Sequence, residues 1–172
     1  MEISFQCNQP KTREEAARHR AACVAGIINK FIPWESPKVV DAGGGNGYLG
    51  EHFEIYKNWD LADGHDIQDS IPIAQVVVFM EVLEHVVDLK KVLDNVKADY
   101  VLIGVPRERN RLPSPDHVRR VTINDIQALT DWELVGKWFW VLRPRLWRLR
   151  YFFPVVSVFA EDEISLWRVK HE

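Results

Sequence analysis

The stretch Lys38-Val39-Val40-Asp41-Ala42-Gly43-Gly44-Gly45-Asn46-Gly47-Tyr48-Leu49-Gly50-Glu51-His52-Phe53 decides how this chain is read. A short apolar run ends in an acid, Asp41. Glycines follow at the alternate positions 43, 45 and 47, and Tyr48 to Phe53 reads as the first turns of a helix. A strand, an acid, alternate glycines and a helix make a nucleoside-binding turn. Glycine reaches φ > 0 without strain and leaves no Cβ in the way of a ligand lying on the backbone. The N–H groups at the start of the helix can receive a carboxylate or a phosphate.

Outward from this turn the chain alternates strand and helix patterns. Thr12 is placed to cap a helix running to Pro33, with Glu14 and Glu15 in its first turn. Lys38 to Asp41 is the first strand, and the second lies within Phe53 to Asp60. Ile73 to Met80 and Tyr100 to Val105 are continuous apolar runs, the pattern of strands buried on both faces of a parallel sheet. Val86 to Val96 fits a helix between them. Thr122 caps a short helix to about Leu129, and Trp132 to Leu142 and Ile164 to Val169 read as two further strands. Such alternation specifies an α/β fold with a doubly wound, mostly parallel sheet. Ligands in these sheets bind beyond the carboxyl ends of the strands, where the strand order reverses.

Length and composition agree. The 172 residues, 47% hydrophobic and 27% charged, suit one globular domain with a substantial core. Residues 1–35 form an N-terminal helical segment, 36–135 the cofactor-binding core, and 136–172 the C-terminal strands with a basic, aromatic insertion. No apolar run reaches the roughly 18 residues of a membrane span. Met1 to Cys7 lacks the pattern of a signal peptide. Cys7 and Cys23 are too few for a disulfide framework or a four-ligand zinc site, so a cytoplasmic location is expected. Cys23 falls in the first helical pattern and reads as a buried small hydrophobe. The net charge of −3 combines an acidic first hundred residues with a basic remainder.

Gly45-Asn46-Gly47-Tyr48-Leu49-Gly50 matches the dinucleotide fingerprint G-x-G-x-x-G, but Asp41, Gly43 and Gly44 interrupt the apolar strand it requires. The other frame, Asp41-x-Gly43-x-Gly45-x-Gly47, resembles the signature turn of class I S-adenosylmethionine-dependent methyltransferases. Gly44 stands where many members have cysteine, a difference expected to be harmless. Glu81-Val82-Leu83-Glu84-His85-Val86-Val87-Asp88 is similar to the segment after strand 4 in the small-molecule, quinone-type (type 11-like) subgroup. Asp116-His117-Val118-Arg119-Arg120-Val121-Thr122 resembles the element before that subgroup's last helix. The matches fall in the family's order and cover roughly residues 36–135. Between the second strand and Ile73 only a short segment is available. The helix usually found there must be shortened or lost, and strand 3 can go with it.

The resemblance implies a Rossmann-like methyltransferase fold with an antiparallel C-terminal strand, and S-adenosyl-L-methionine as cofactor. Gly43, Gly45 and Gly47 would pass under its methionine part, with Asp41 helping to place the amino end. A carboxylate can accept from both ribose hydroxyls, and Asp60, or else Asp63, stands where that acid belongs. Asp66 followed by Ile67 resembles the family's adenine-binding pair. Met80 and Glu81 would border the sulfonium.

A base is needed only if the acceptor must lose a proton. His85 is the first candidate, with Glu84 and His117 behind it. Glu81, Glu84 and His85 are spaced i, i+3, i+4, which would put them on one helical face. For want of further clustered ligands, no metal site is expected. Leu142 to Pro154 interleaves four arginines with aromatics. It could lie as an amphipathic helix on the core, cover an acceptor or touch a membrane surface; nucleic acid is not expected. The acceptor is read as a small or lipid-like molecule. The rival functions are a nicotinamide-dependent oxidoreductase using Gly45, Gly47 and Gly50, and a non-catalytic cofactor-binding module of the same fold.

Overall fold

The computed structural model describes residues 12–106, 115–140 and 162–170, and a six-stranded sheet runs through them. Its strands are β1 (Val39–Ala42), β2 (Tyr56–Trp59), β3 (Val76–Met80), β4 (Tyr100–Pro106), β5 (Glu133–Trp140) and β6 (Asp162–Arg168). The order across the sheet is β2-β1-β3-β4-β6-β5. β1 pairs in parallel with β2 and β3, and β3 with β4, whereas β6 is antiparallel to both β4 and β5. The helices are α1 (Arg13–Phe31), α2 (Leu89–Asp94) and α3 (Ile123–Leu129). This is the doubly wound, mostly parallel sheet with an antiparallel C-terminal strand that the alternating pattern specifies.

Two buried layers close the sheet, and the period of two along each strand sorts residues between them. Val40, Ala42, Val77, Phe79, Val101 and Ile103 pack with α2 and α3. Val39, Val76, Val78, Tyr100 and Leu102 pack with α1. The helices begin where local chemistry dictates. Thr12 Oγ1 accepts from the Glu15 N–H at 3.1 Å. Thr122 and Asp125 form a reciprocal capping box at α3.

Several elements differ from expectation. α2 starts at Leu89 rather than Val86, because Asp88 Oδ1 accepts from the Lys91 N–H at 3.0 Å and fixes the cap there. Tyr48–His52 is a 3₁₀ turn, not an α-helix. Its cap, Gly47, is left-handed at φ 69° and Gly50 sits mid-turn, a poor setting for α-helix propagation. Between β2 and β3 there is only the 3₁₀ turn Leu61–Asp63, so β2 lies at the edge of the sheet. The basic, aromatic stretch Leu142 to Pro154 lies outside the described residues, as do the first eleven.

The antiparallel extension is anchored by Trp167, fully buried among β-strand residues and α3. Its indole N–H donates to Ser165 Oγ at 2.9 Å, and Ser165 Oγ donates on to Ile103 O at 3.4 Å. Ser165→Ala strands a buried indole N–H and is expected to cost about 1–3 kcal/mol. Urea unfolding should show a lower midpoint with an unchanged slope.

Candidate functional site

The strand order reverses between β1 and β3, and this is where a doubly wound sheet opens a crevice. β1 delivers Asp41 and the glycine turn to that point, and β3 delivers Met80 and Glu81. Gly43, Gly45 and Gly47 sit at φ 80°, 53° and 69°. Their alternation in the sequence is thus a run of left-handed residues that only glycine takes without strain.

Each glycine faces something different. A Cβ on Gly43 would stand 2.6 Å from Val82 Cγ2, so the turn and the segment after β3 are in direct contact. A Cβ on Gly44 would stand 2.4 Å from both Asp41 Oδ2 and Asn58 Oδ1. A cysteine at position 44 would meet two polar side chains that already occupy that space. Gly45 has nothing within 4 Å of its Cβ position, so the outer side of the turn is open.

β2 and its end hold the turn from below through alternate side chains. The Tyr56 hydroxyl donates to Asp41 Oδ2 at 3.1 Å, and Asn58 Nδ2 donates to Gly45 O at 3.0 Å. Asp60 Oδ2 accepts from the Gly45 N–H at 2.9 Å, and its Oδ1 accepts from Ala62 N–H at 2.9 Å. Asp60 is thus first a clamp on the glycine turn. A carboxylate has acceptor capacity beyond two bonds. Asp41 is buried, with 5% of its surface exposed. Burial pushes its carboxyl up to about 6; the Tyr56 hydrogen bond works against that rise and the Asp60 charge adds to it.

Asp41, Gly43, Gly44 and Met80 line a cavity of about 120 Å³ under α1. Its other wall carries Ala17, Arg20 and Ala21 of α1, together with Tyr48. These residues lie twenty or more positions upstream of the motif, or in its 3₁₀ turn, and carry no sequence signature of a site. Arg18 ties α1 to that turn by an ion pair with Glu51 and by standing 4.3 Å over the Tyr48 ring. Gly45, Gly47, Asp60, Asp66, Ile67 and Glu81 do not line this cavity. Asp66 Oδ1 accepts from the Gln68 N–H at 2.8 Å in a local turn, and Ile67 is buried in the core.

A second cluster forms beyond β3. Glu84, His85 and His117 bring one ligand atom each to within 4.8 Å of one another. Val118 and Arg119 N–H groups donate to Glu84 O, which docks the His117 loop there. The rings of His85 and His117 meet edge to face, with centroids 4.8 Å apart. His85 Nδ1 is 3.1 Å from Asp116 O. A carbonyl only accepts, so Nδ1 is the ring nitrogen that carries a proton. The expected helical face of Glu81, Glu84 and His85 does not form: the segment is a single 3₁₀ turn, Leu83–His85, and Glu81 precedes it at φ 58°. His117, from a distant loop, takes the third place.

The fold is that of the class I S-adenosylmethionine-dependent methyltransferases. Magnesium protoporphyrin IX methyltransferase from Synechocystis, solved with S-adenosylhomocysteine bound, superposes with a TM-score of 0.65 at 9% identity. The match covers 95% of this chain and 90% of that one. The 1,6-didemethyltoxoflavin N1-methyltransferase of Burkholderia thailandensis gives 0.55 at 11% identity, over 97% and 94% of the two chains. The YcgJ protein of Bacillus subtilis gives 0.58 at 15%, over 90% and 99%. No protein-family profile and no curated protein sequence matches the chain.

The crowding around Gly44 has a measurable consequence. Gly44→Cys pushes on Asp41 and Asn58 and is expected to destabilise the fold by about 1–3 kcal/mol. Chemical denaturation of the variant beside the unsubstituted chain measures it.

Proposed function

We propose that this chain is a methyltransferase using S-adenosyl-L-methionine on a small-molecule or amphipathic acceptor. The observation that carries the proposal is the glycine turn at the switch point, open at Gly45 and backed by the buried acid Asp41. The residues present fit that cofactor. A ligand can lie on the bare backbone of Gly45. The Asp41 carboxylate suits an ammonium group and the Arg20 guanidinium suits a carboxylate. The Met80 thioether borders the same cavity. The dinucleotide alternative finds less support, since a 3₁₀ turn replaces the α-helix whose N-terminus would serve a pyrophosphate.

When bound, S-adenosylmethionine supplies a methyl group on a positively charged sulfur that is already a good leaving group. The chain's own part is to orient the acceptor and exclude water. In this reading His85, through Nε2 of its neutral form, takes a proton from an acceptor hydroxyl or amine. Buried Glu84 and His117 stand next to it. Val87 and Val118, 68% and 56% exposed, offer apolar surface beside the cluster. Small-molecule acceptors belong to the porphyrin and toxoflavin enzymes that share the fold, although a 16S rRNA methyltransferase shares it too.

Calorimetric titration with S-adenosylhomocysteine is expected to give micromolar affinity. Gly45→Leu should abolish it by filling the open side of the turn, and Asp60→Ala should weaken it sharply by releasing the Gly45 N–H. An absence of heat at millimolar ligand overturns the assignment.

A second reading rests on the Glu84, His85 and His117 cluster, whose mixed donors suit a divalent cation. Ligand atoms sharing one ion at bonds of about 2.1 Å lie at most about 4.2 Å apart, so the histidine rings would turn inward. Manganese or zinc should then raise the thermal midpoint of the unsubstituted protein and leave that of His117→Ala unchanged. Equal shifts in both proteins would count against a site there.

A further inference from the structure

Resting on the cofactor assignment above, we propose that Tyr56 is a positioning residue which, together with Asn58, sets the charge on Asp41 and couples nucleoside binding to release of a proton. Tyr56 stands on edge strand β2 and sends its hydroxyl to Asp41 Oδ2. Its ring is held in place: a Cβ on Gly50 would come within 2.7 Å of it, so the glycine lies flat against the ring. A donor on a carboxylate favours the ionised form.

Asn58 supplies the opposite bias. Its amide nitrogen is committed to Gly45 O, which aims its carbonyl oxygen toward Gly44. That Oδ1 is buried and has no hydrogen-bond partner among the described residues. Asn58 Oδ1 and Asp41 Oδ2 each lie 2.4 Å from the point where a Gly44 Cβ would stand. The two oxygens therefore lie at most about 4.8 Å apart, beside a bare glycine. An ionised Asp41 receives a hydrogen bond from Tyr56, and the unpartnered, partly negative Asn58 Oδ1 close by opposes that ionisation. The two neighbours thus pull the carboxyl in opposite directions.

Other groups act on the same carboxyl. Asp60, at the end of β2, opposes its ionisation. Arg20 of α1 and Tyr48 of the 3₁₀ turn line the same cavity. Burial tilts the ligand-free site toward the neutral form, with the midpoint pushed up to about 6. An arriving ammonium group favours the charged form. Binding below that midpoint then breaks the carboxyl O–H bond and the proton leaves to solvent. The sign for folding is the reverse. Asp41's raised midpoint makes its contribution to stability fullest at low pH, and that contribution fades as the pH climbs through about 6.

The test is a ¹³C NMR titration of the Asp41 carboxyl in the ligand-free full chain, beside calorimetry with S-adenosylhomocysteine in buffers of different ionisation enthalpy. Both span about pH 5 to about pH 8. Tyr56→Phe keeps the ring over Gly50 and removes only the donor. It is expected to raise the Asp41 midpoint by about one pH unit. Affinity should then fall about tenfold below the midpoint and hold steady at the alkaline end. Replacing tyrosine by 3-fluorotyrosine, a stronger donor, should move the midpoint down. Asp41→Asn should flatten the pH dependence, and adding Tyr56→Phe to it should change little more. A midpoint indifferent to both tyrosine changes overturns the proposal whether or not the nucleoside binds. A midpoint that moves as expected, with no binding heat at any pH, overturns instead the cofactor assignment and the proton coupling built on it.

Discussion

The carboxylate of Asp41 is the point on which the architecture of this site turns. It is the last-but-one residue of β1, buried under α1, and it occupies the space a side chain at position 44 would need. From it the constraints spread outward. Tyr56 binds it from β2, Gly44 must be bare beside it, and the turn around it runs through three left-handed glycines. Burying such a group costs stability unless it is hydrogen-bonded. The edge strand supplies that bond, and with it the shape of the turn.

The position of β2 makes this economy visible. With neither an α-helix nor a strand between β2 and β3 among the described residues, β2 has β1 as its one partner in the sheet. Four residues of strand pair with β1, yet Tyr56, Asn58 and the following Asp60 all send side chains to the glycine turn. Side-chain bonds thus do part of what a wider sheet and its covering helix do elsewhere.

What could be read from the sequence was whatever is decided locally. The glycine alternation, the caps at Thr12 and Thr122 and the buried runs of β3 and β4 each depend on neighbours a few residues away. Their physical meaning follows from φ, capping chemistry and burial alone. What escaped was decided at a distance. Ala17, Arg20 and Ala21 became cavity wall because α1 lies across the turn, and nothing in a helical pattern says which turn it will cross. His117 joins Glu84 and His85 through backbone bonds from a loop about thirty residues away, while the i, i+3, i+4 spacing of Glu81 with Glu84 and His85 is broken by a short 3₁₀ turn. Asp60 reads in the sequence as the acid for a ribose, and its bond to Gly45 is not legible there. Its two bonds to the chain's own N–H groups came from the register of β1 against β2.

Glu81 carries a last implication. It is the non-glycine residue held at positive φ among those described, pinned at the tip of β3 by a 2.9 Å bond from its N–H to Gly104 O. A conformation of that kind costs on the order of 1–3 kcal/mol and persists only where the surroundings impose it. Glycine would relieve it, so Glu81 is held at that corner against the preference of its own backbone. The tip of β3 is accordingly a strained corner whose shape is set by its neighbours rather than by its own residue.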